Sequence, residues 1–239
     1  MGKIYEKQMQ IPNVAVDCFD RMKTSWLLAC LQEVAGEHCT LLGASGGEHD
    51  GKNLFWAVSR YRVQITRLPA AKETITLKTW PCPTSRVAYP RATVAYDEEG
   101  KELFRAMSLW VLMDVDSRAM VLPGKSGITV DGIITGEEID LPASLPPVAG
   151  EFSANRQVRF TDLDVNGHMN NTQYLSWVDD LLPSSYHRVH MPKELTVCYL
   201  SEALEDQCLE LTWNQGEELR LDAVDAEKKN RIFAVKIVY

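Results

Sequence analysis

An α+β fold built from two similar modules is what this 239-residue chain predicts. Three observations carry that prediction. A helical pattern followed by a run of strand-like segments occurs twice along the chain. The hairpin turns echo each other, Asp97-Glu98-Glu99-Gly100-Lys101 in the first half and Asp225-Ala226-Glu227-Lys228-Lys229 in the second, and Thr79-Trp80 is matched by Thr212-Trp213. Neither half alternates strand with helix, which argues against a parallel sheet. The simplest solution is two antiparallel sheets, each curled around one apolar helix.

Residues 5–16 alternate loosely and predict a strand. From Thr24 to Gly43 the period becomes helical: Leu27, Leu31, Val34, His38 and Leu41 form one stripe, with Glu33 and Glu37 off it. Gly43 supplies the stop. His38, on the apolar stripe, is read as a hydrogen-bonded core histidine. A glycine-rich loop, 44–52, precedes strands at 54–65, 73–80, 88–96 and 102–113. Between Asp114 and Asn155, Pro and Gly punctuate a stretch read as a surface linker. A helix at 170–182 then precedes strands at 194–202, 208–213, 219–224 and 231–239. The organisation expected is a first module over 1–122, a linker over 123–155 and a second module over 156–239.

Composition narrows the function. Apolar residues make up 45% and charged residues 24% of the chain, ordinary values for a globular protein. A net charge of −8 argues against a nucleic-acid partner. The six cysteines have no CxxC spacing and are read as reduced, small apolar side chains. No HExxH or Cys/His cluster suggests a metal. No apolar run reaches bilayer length, and residues 1–8 have neither a signal-peptide core nor the texture of a transit peptide. Gly2 is followed by Glu6 where a myristoylation signal has Ser or Thr. A cytoplasmic enzyme or binding protein, not inserted in a membrane, is expected.

The densest chemistry lies in Thr161-Asp162-Leu163-Asp164-Val165-Asn166-Gly167-His168-Met169-Asn170-Asn171. Extended, this segment projects Asp164, Asn166 and His168 from one face. Asn170 or Asn171 would cap the helix that follows, whose first N–H groups favour negative charge. Singly, each of these residues is more often a cap or a surface group. Together they suit a reaction that builds an oxyanion. The equivalent turn in the first half, Asp17 to Thr24, lacks the set, so the chemistry is assigned to the second module.

The run Asp164-Val165-Asn166-Gly167-His168-Met169-Asn170-Asn171-Thr172-Gln173-Tyr174 resembles the D-x-N-x-H-x-N-N-x-x-Y signature of hotdog-fold thioesterases. With the signature only in the second half, the tandem layout is similar to acyl-acyl carrier protein thioesterases of plant plastids and bacteria. That family carries a further carboxylate in a Y-R-R-E-C motif. Here the stretch reads Tyr199-Leu200-Ser201-Glu202-Ala203, so Tyr199 and Glu202 match while both arginines and the cysteine do not. The missing cysteine argues against a cysteine nucleophile.

The resemblance implies a tandem hotdog α+β fold, hydrolysis of fatty acyl thioesters on acyl carrier protein, no cofactor and a homodimer. It places catalysis on Asp164, Asn166, His168 and Glu202. Glu202 is assigned as general base for water, made basic by burial among Leu200, Ala203 and Leu204. Asn166 and His168 would hold the water and the carbonyl oxygen, with Asp164 orienting them. Direct attack by Glu202 or Asp164 is the alternative. The resemblance also implies an acyl tunnel in the first module, expected against Leu27, Leu31, Val34 and Leu41. Arg86, Arg91, Arg105, Arg156, Arg159 and Arg188 are candidates for docking an acidic carrier protein. The rival readings are an acyl-CoA thioesterase, a hydratase or dehydratase of the same fold, and a non-catalytic acyl-binding protein.

Overall fold

A computed structural model describes residues 3–49, 51–136 and 139–239. Gly2, Asp50 of the glycine-rich loop, and Glu137 and Glu138 of the expected linker lie outside them. The chain forms two compact units, Met1–Pro142 and Ala143–Tyr239.

The first unit contains strands β1 (Tyr5–Gln10), β2 (Gly47–His49), β3 (Lys52–Ile65), β4 (Thr74–Pro81), β5 (Tyr89–Tyr96), β6 (Glu102–Asp114) and β7 (Met120–Val121), with helix α1 at Thr24–Leu41. Its sheet runs β1-β4-β5-β6-β3, every pairing antiparallel, with β2 added to β3 and β7 to β6. The period-2 runs are why these strands form. Strand β5 lies between β4 and β6 and is buried along almost its whole length. The Asp97 turn is a side-chain device, because Asp97 Oδ1 accepts the N–H groups of Glu99 and Lys101 (3.1 and 2.8 Å).

Helix α1 packs on β1 and β4. Leu27, Leu28 and Val34 are fully enclosed, and Leu31 nearly so. Each such side chain contributes roughly 1.5–3 kcal/mol on burial. Glu37 is tied to β1 by Tyr5 Oη (2.8 Å) and Lys7 Nζ (2.5 Å). His38 is buried, stacks on Tyr5 and receives a hydrogen bond from Arg91 at its Nδ1 (3.0 Å), as a core histidine should.

The second unit contains strands β8 (Phe152–Gln157), β9 (Glu194–Tyr199), β10 (Cys208–Asn214), β11 (Glu218–Asp225) and β12 (Arg231–Val238). Its antiparallel sheet runs β9-β12-β11-β10-β8. Helix α2 (Gln173–Asp179) buries Tyr174, Leu175, Trp177 and Val178, and a separate helix α3 spans Ser184–Val189. The single helix expected over 170–182 is therefore shortened and followed by a second. Pro183 explains the break: it has no N–H to donate and disfavours helical backbone at Leu182.

The stretch read as a surface linker is more integrated than expected. Phe152–Gln157 is strand, Ser126 and Ile128 are buried, and Ser126 Oγ lies 2.9 Å from Tyr89 Oη. Gly132 runs so close to β4's exit that a Cβ there would stand 2.2 Å from the Cys82 carbonyl. Only glycine permits that approach.

Candidate active site

The segment 161–171 is not an extended strand. Leu163 pairs with Met169 across a tight turn, in which Asp164 N–H donates to His168 O (2.9 Å) and Gly167 N–H to Asp164 O (3.0 Å). Asp164 Oδ1 accepts the Asn166 N–H at 2.8 Å, an Asx turn. Gly167 has φ +79°, the left-handed region that ordinary side chains disfavour. The alternation of polar residues reflects this turn rather than a pleat.

The turn is fastened to the segment carrying Glu202. Met169 N–H donates to Ala203 O (2.8 Å), and His168 makes an antiparallel bridge with Leu204. Glu202 itself lies beyond the end of β9, not within the strand as expected. The Leu200 and Ser201 N–H groups, both on Ile232 O, fix the chain as it leaves the strand.

Three of the four expected side chains therefore converge. His168 Nδ1 lies 3.7 Å from Asp164 Oδ1, and His168 Nε2 lies 3.6 Å from Glu202 Oε1. His168 Nε2 is buried and has no hydrogen-bond partner among the described residues. A ring nitrogen left unpaired beside a carboxylate is available to a water or a reacting oxygen. The Asn166 side chain is exposed at the turn.

Two details differ from expectation. Glu202's side chain is 38% exposed and its neighbours Leu200 and Leu204 are exposed, so only Ala203 supplies the apolar burial foreseen around it. The N–H groups of Thr172 and Gln173 are taken by Asn170, through its Oδ1 (2.9 Å) and its carbonyl (2.9 Å). Asn170 thus fastens the turn leading into the helix, whose N-cap is Thr172 rather than Asn170 or Asn171, and it occupies N–H groups expected to face an oxyanion.

Tyr174, a signature position with no role in the expected chemistry, is a neighbour of this site. It is buried against Tyr199 and Phe233, with ring centroids 5.5 and 4.6 Å away. Burial holds its phenol well above the usual range, and the Glu202 and Asp164 carboxylates push the same way against a hydrogen bond from the Ala203 backbone. Tyr199 Oη donates to the Asn171 carbonyl at 2.8 Å. These aromatic contacts support the turn and the Glu202 segment together. Two sequence signals point to them: the helical spacing of Tyr174, Val178 and Leu181, and the places of Tyr174 and Tyr199 in the two motifs.

The first unit holds a cavity of about 370 Å³. Its walls include Gln32, Ala35, Gly36 and Cys39 from α1, with Trp56, Tyr89, Arg91 and Trp110 from the sheet. Leu27, Leu31 and Val34 do not line it, because they are packed into the core, and Leu41 is 46% exposed. The open space lies along a different face of α1, which carries Gln32, Glu33, Ala35, Gly36, Glu37 and Cys39.

The docking candidates also separate. Arg91 is buried and cannot meet a partner's surface. Arg105, Arg156 and Arg159 pair with Glu102, Asp180 and Asp206 (2.5, 3.0 and 3.4 Å), while Arg86 and Arg188 are exposed.

Family models place this geometry. One described as the acyl-ACP thioesterase N-terminal domain matches residues 2–122, and one described as the C-terminal domain matches residues 147–236. The chain belongs to the acyl-ACP thioesterase family. A chloroplastic palmitoyl-acyl carrier protein thioesterase of Gossypium hirsutum is 26% identical over 96% of this chain and 59% of its own length. A chloroplastic dodecanoyl-acyl-carrier-protein hydrolase of Cinnamomum camphora is 27% identical over 75% of this chain and 51% of its own length. The chain thus spans little more than half the length of these relatives. Among solved structures, an acyl-ACP thioesterase of Bacteroides thetaiotaomicron superposes with a TM-score of 0.87 at 21% identity, covering 99% of this chain and 97% of that one. The 12:0-ACP thioesterase of Umbellularia californica gives 0.81 at 22% identity, covering 100% and 97%. The fold is the tandem hotdog, α+β with antiparallel sheets, as expected. No helix among the described residues is long and apolar enough to cross a membrane.

Proposed function

We propose that this acyl-ACP thioesterase family member hydrolyses fatty acyl thioesters of acyl carrier protein, releasing the free fatty acid and the carrier's thiol. The observation that carries the reading is the His168 ring set between Asp164, on its Nδ1 side, and Glu202, on its Nε2 side, with no hydrogen-bond partner for Nε2 among the described residues. A water contacting both His168 and Glu202 gives up a proton to this pair as its oxygen attacks the thioester carbonyl carbon. Asn166 donates to the carbonyl oxygen as it becomes an oxyanion. The C–S bond then breaks, and the departing thiolate takes the proton back from the pair. A cation formed on His168 during proton transfer stands between two carboxylates, with Asp164 holding the ring as the third member of a triad does.

In this reading the second unit is catalytic and the first binds the acyl chain, in the cavity lined by Ala35, Gly36, Trp56 and Trp110. Its volume lies within the range of small-molecule sites. A homodimer located in the cytoplasm, acting without a cofactor, completes the proposal. The deciding experiment compares acyl carrier protein and CoA thioesters of one chain length, following release of free acid. Faster turnover of the carrier-protein form supports the reading. A clear CoA preference replaces it with an acyl-CoA thioesterase, and no release from either leaves an acyl-binding protein.

A further inference from the structure

Arg91 is the most unusual group in the first unit. It lines the cavity, yet it is only 7% exposed. Its Nη1 donates to His38 Nδ1 (3.0 Å) and Thr79 Oγ1 (3.3 Å), and Nε and Nη2 have no partner among the described residues. As the acceptor, His38 Nδ1 is the unprotonated ring nitrogen, so His38 brings no second charge through that atom. No carboxylate among the described residues pairs with the guanidinium. The acidic groups that bear on it are the Cys39 and Cys82 thiols and the Tyr61 phenol, all pushed upward by burial and so neutral near pH 7. Glu33 and Glu37 also line the cavity, but Glu37 is held by Lys7 and Tyr5, and Glu33 Oε1 lies 3.9 Å from Lys7 Nζ.

A guanidinium buried without a counter-charge is costly, and burial accordingly pulls Arg91 below its ordinary range. A neutral oxygen would satisfy donors but leave the charge. A carboxylate would do both, accepting two parallel N–H bonds. The remaining walls are suited to a hydrocarbon. Trp56 and Trp110 satisfy their own N–H groups within the protein, on Ala44 O (2.8 Å) and Ser108 Oγ (2.9 Å), and leave apolar ring surface.

We propose that the cavity of the first unit binds an alkyl carboxylate, its head group on the Arg91 guanidinium and its chain against Trp56 and Trp110. Two sources share this chemistry: a free fatty acid, which is the class of the reaction's own product, and the far end of an acyl chain that carries a terminal carboxyl. The inference rests on the thioesterase reading only for the origin of the chain.

The test is calorimetric titration of the intact protein, without any thioester, using dodecanoate, its methyl ester and dodecanol. Dodecanoate should bind at least about tenfold more tightly than the neutral pair, the equivalent of about 1.4 kcal/mol. Arg91→Leu should erase the difference, and Arg91→Lys should keep part of it. Equal binding of all three ligands, no binding of dodecanoate, or an undiminished preference in Arg91→Leu overturns the proposal. Should that variant fail to fold, the ligand series on the unaltered protein decides alone. The source is separated by hydrolysis. An Arg91-dependent preference for a terminally carboxylated acyl-pantetheine over the plain chain identifies the substrate's far end. Competitive inhibition by dodecanoate without that preference identifies the free acid. A protein inactive on every thioester that still prefers dodecanoate sinks the enzymatic reading and leaves the site standing.

Discussion

His168 Nε2 and Glu202 Oε1 face each other across 3.6 Å, one from a turn, the other from the segment leaving β9. They are brought together by main-chain hydrogen bonding, because Met169 N–H reaches Ala203 O. Removing either side chain leaves that bond intact. Glu202→Ala and His168→Ala are each expected to lower hydrolysis by at least ~10²-fold while melting close to the parent. The double variant should cost far less than the product of the two losses, because the residues act as a unit. Near-normal turnover in Glu202→Ala would remove it from the mechanism, and fully multiplicative losses would separate the two groups.

The turn itself makes a second expectation. Gly167 has open space where a Cβ would stand, so Gly167→Ala introduces backbone strain alone. That strain is roughly 1–2 kcal/mol. A lowered melting temperature is expected, with a larger loss in kcal/mol of transition-state stabilisation because Asn166 and His168 are both carried by the turn. Gly167→Asn should be milder, since asparagine tolerates the left-handed region better. An alanine variant as stable and active as the parent would show that the turn relaxes freely.

Much of this fold is readable locally. Period-2 runs and Asp-led turns place the hairpin strands closely, since the hydrogen bonds of Asp97 and Asp225 lie inside their own hairpins, whereas the strands expected over 5–16 and 194–202 end early, at Gln10 and Tyr199. The second helix is shorter than its apolar spacing predicts, because that spacing runs up to Pro183, where backbone chemistry overrides the pattern. The polar alternation of 164–168 has the period of a pleat yet belongs to a turn, since a positive φ at Gly167 leaves no trace in a periodicity. The proximity of Glu202 to His168 came only from the family resemblance, as it depends on a bridge between distant segments. The cavity was illegible. Gln32, Ala35 and Cys39 look like the unremarkable side of α1, and only the packing of the sheet decides which side stays open.

Docking gives an expectation that ionic strength can check. With a net charge of −8, the protein must offer an acidic carrier a local positive surface. Arg86 is exposed, whereas Arg91 is buried and Arg105, Arg156 and Arg159 are paired. Added salt should raise KM for acyl carrier protein substrates more than for acyl-pantetheine, and Arg86→Glu should do so at low salt. Identical salt responses for the two substrates would count against electrostatic docking.

Acid stability has a defined contributor in Glu73. It accepts two bonds from Arg67 (2.8 and 2.6 Å) and one from the Ala70 N–H (2.9 Å). The Arg67 bonds above all hold its carboxyl below the ordinary 4.5, against the opposing effect of burial. A carboxyl whose folded value is depressed stabilises the fold fully above the unfolded value. That contribution is lost as pH falls through the folded value. Glu73→Gln should therefore melt lower than the parent at pH 7, with the gap narrowing as pH drops below about 4. A gap that stays constant with pH would mean the hydrogen bonds matter and the charge does not.

Chain-length preference should respond to the face of α1 that borders the cavity, and not to the stripe first suspected. Leu31 is 3% exposed in a packed core, so Leu31→Trp is expected to overpack and destabilise rather than retune the substrate. Gly36 differs in both respects. It lines the cavity and has nothing within 4 Å of the position a Cβ would take. Glycine also costs a helix about 1 kcal/mol relative to alanine, so a larger residue there supports α1. Gly36→Leu should fold at least as well as the parent and fill space that an acyl chain would use. Each methylene denied burial costs ~0.8 kcal/mol, about fourfold in discrimination per carbon. The variant should therefore shift hydrolysis toward shorter chains, while kcat on a short acyl-pantetheine stays near the parent value because the second unit is untouched. Assaying acyl carrier protein thioesters across chain lengths checks it. A folded Gly36→Leu with an unchanged profile would mean the acyl chain does not enter this cavity, and that selectivity resides in the second unit.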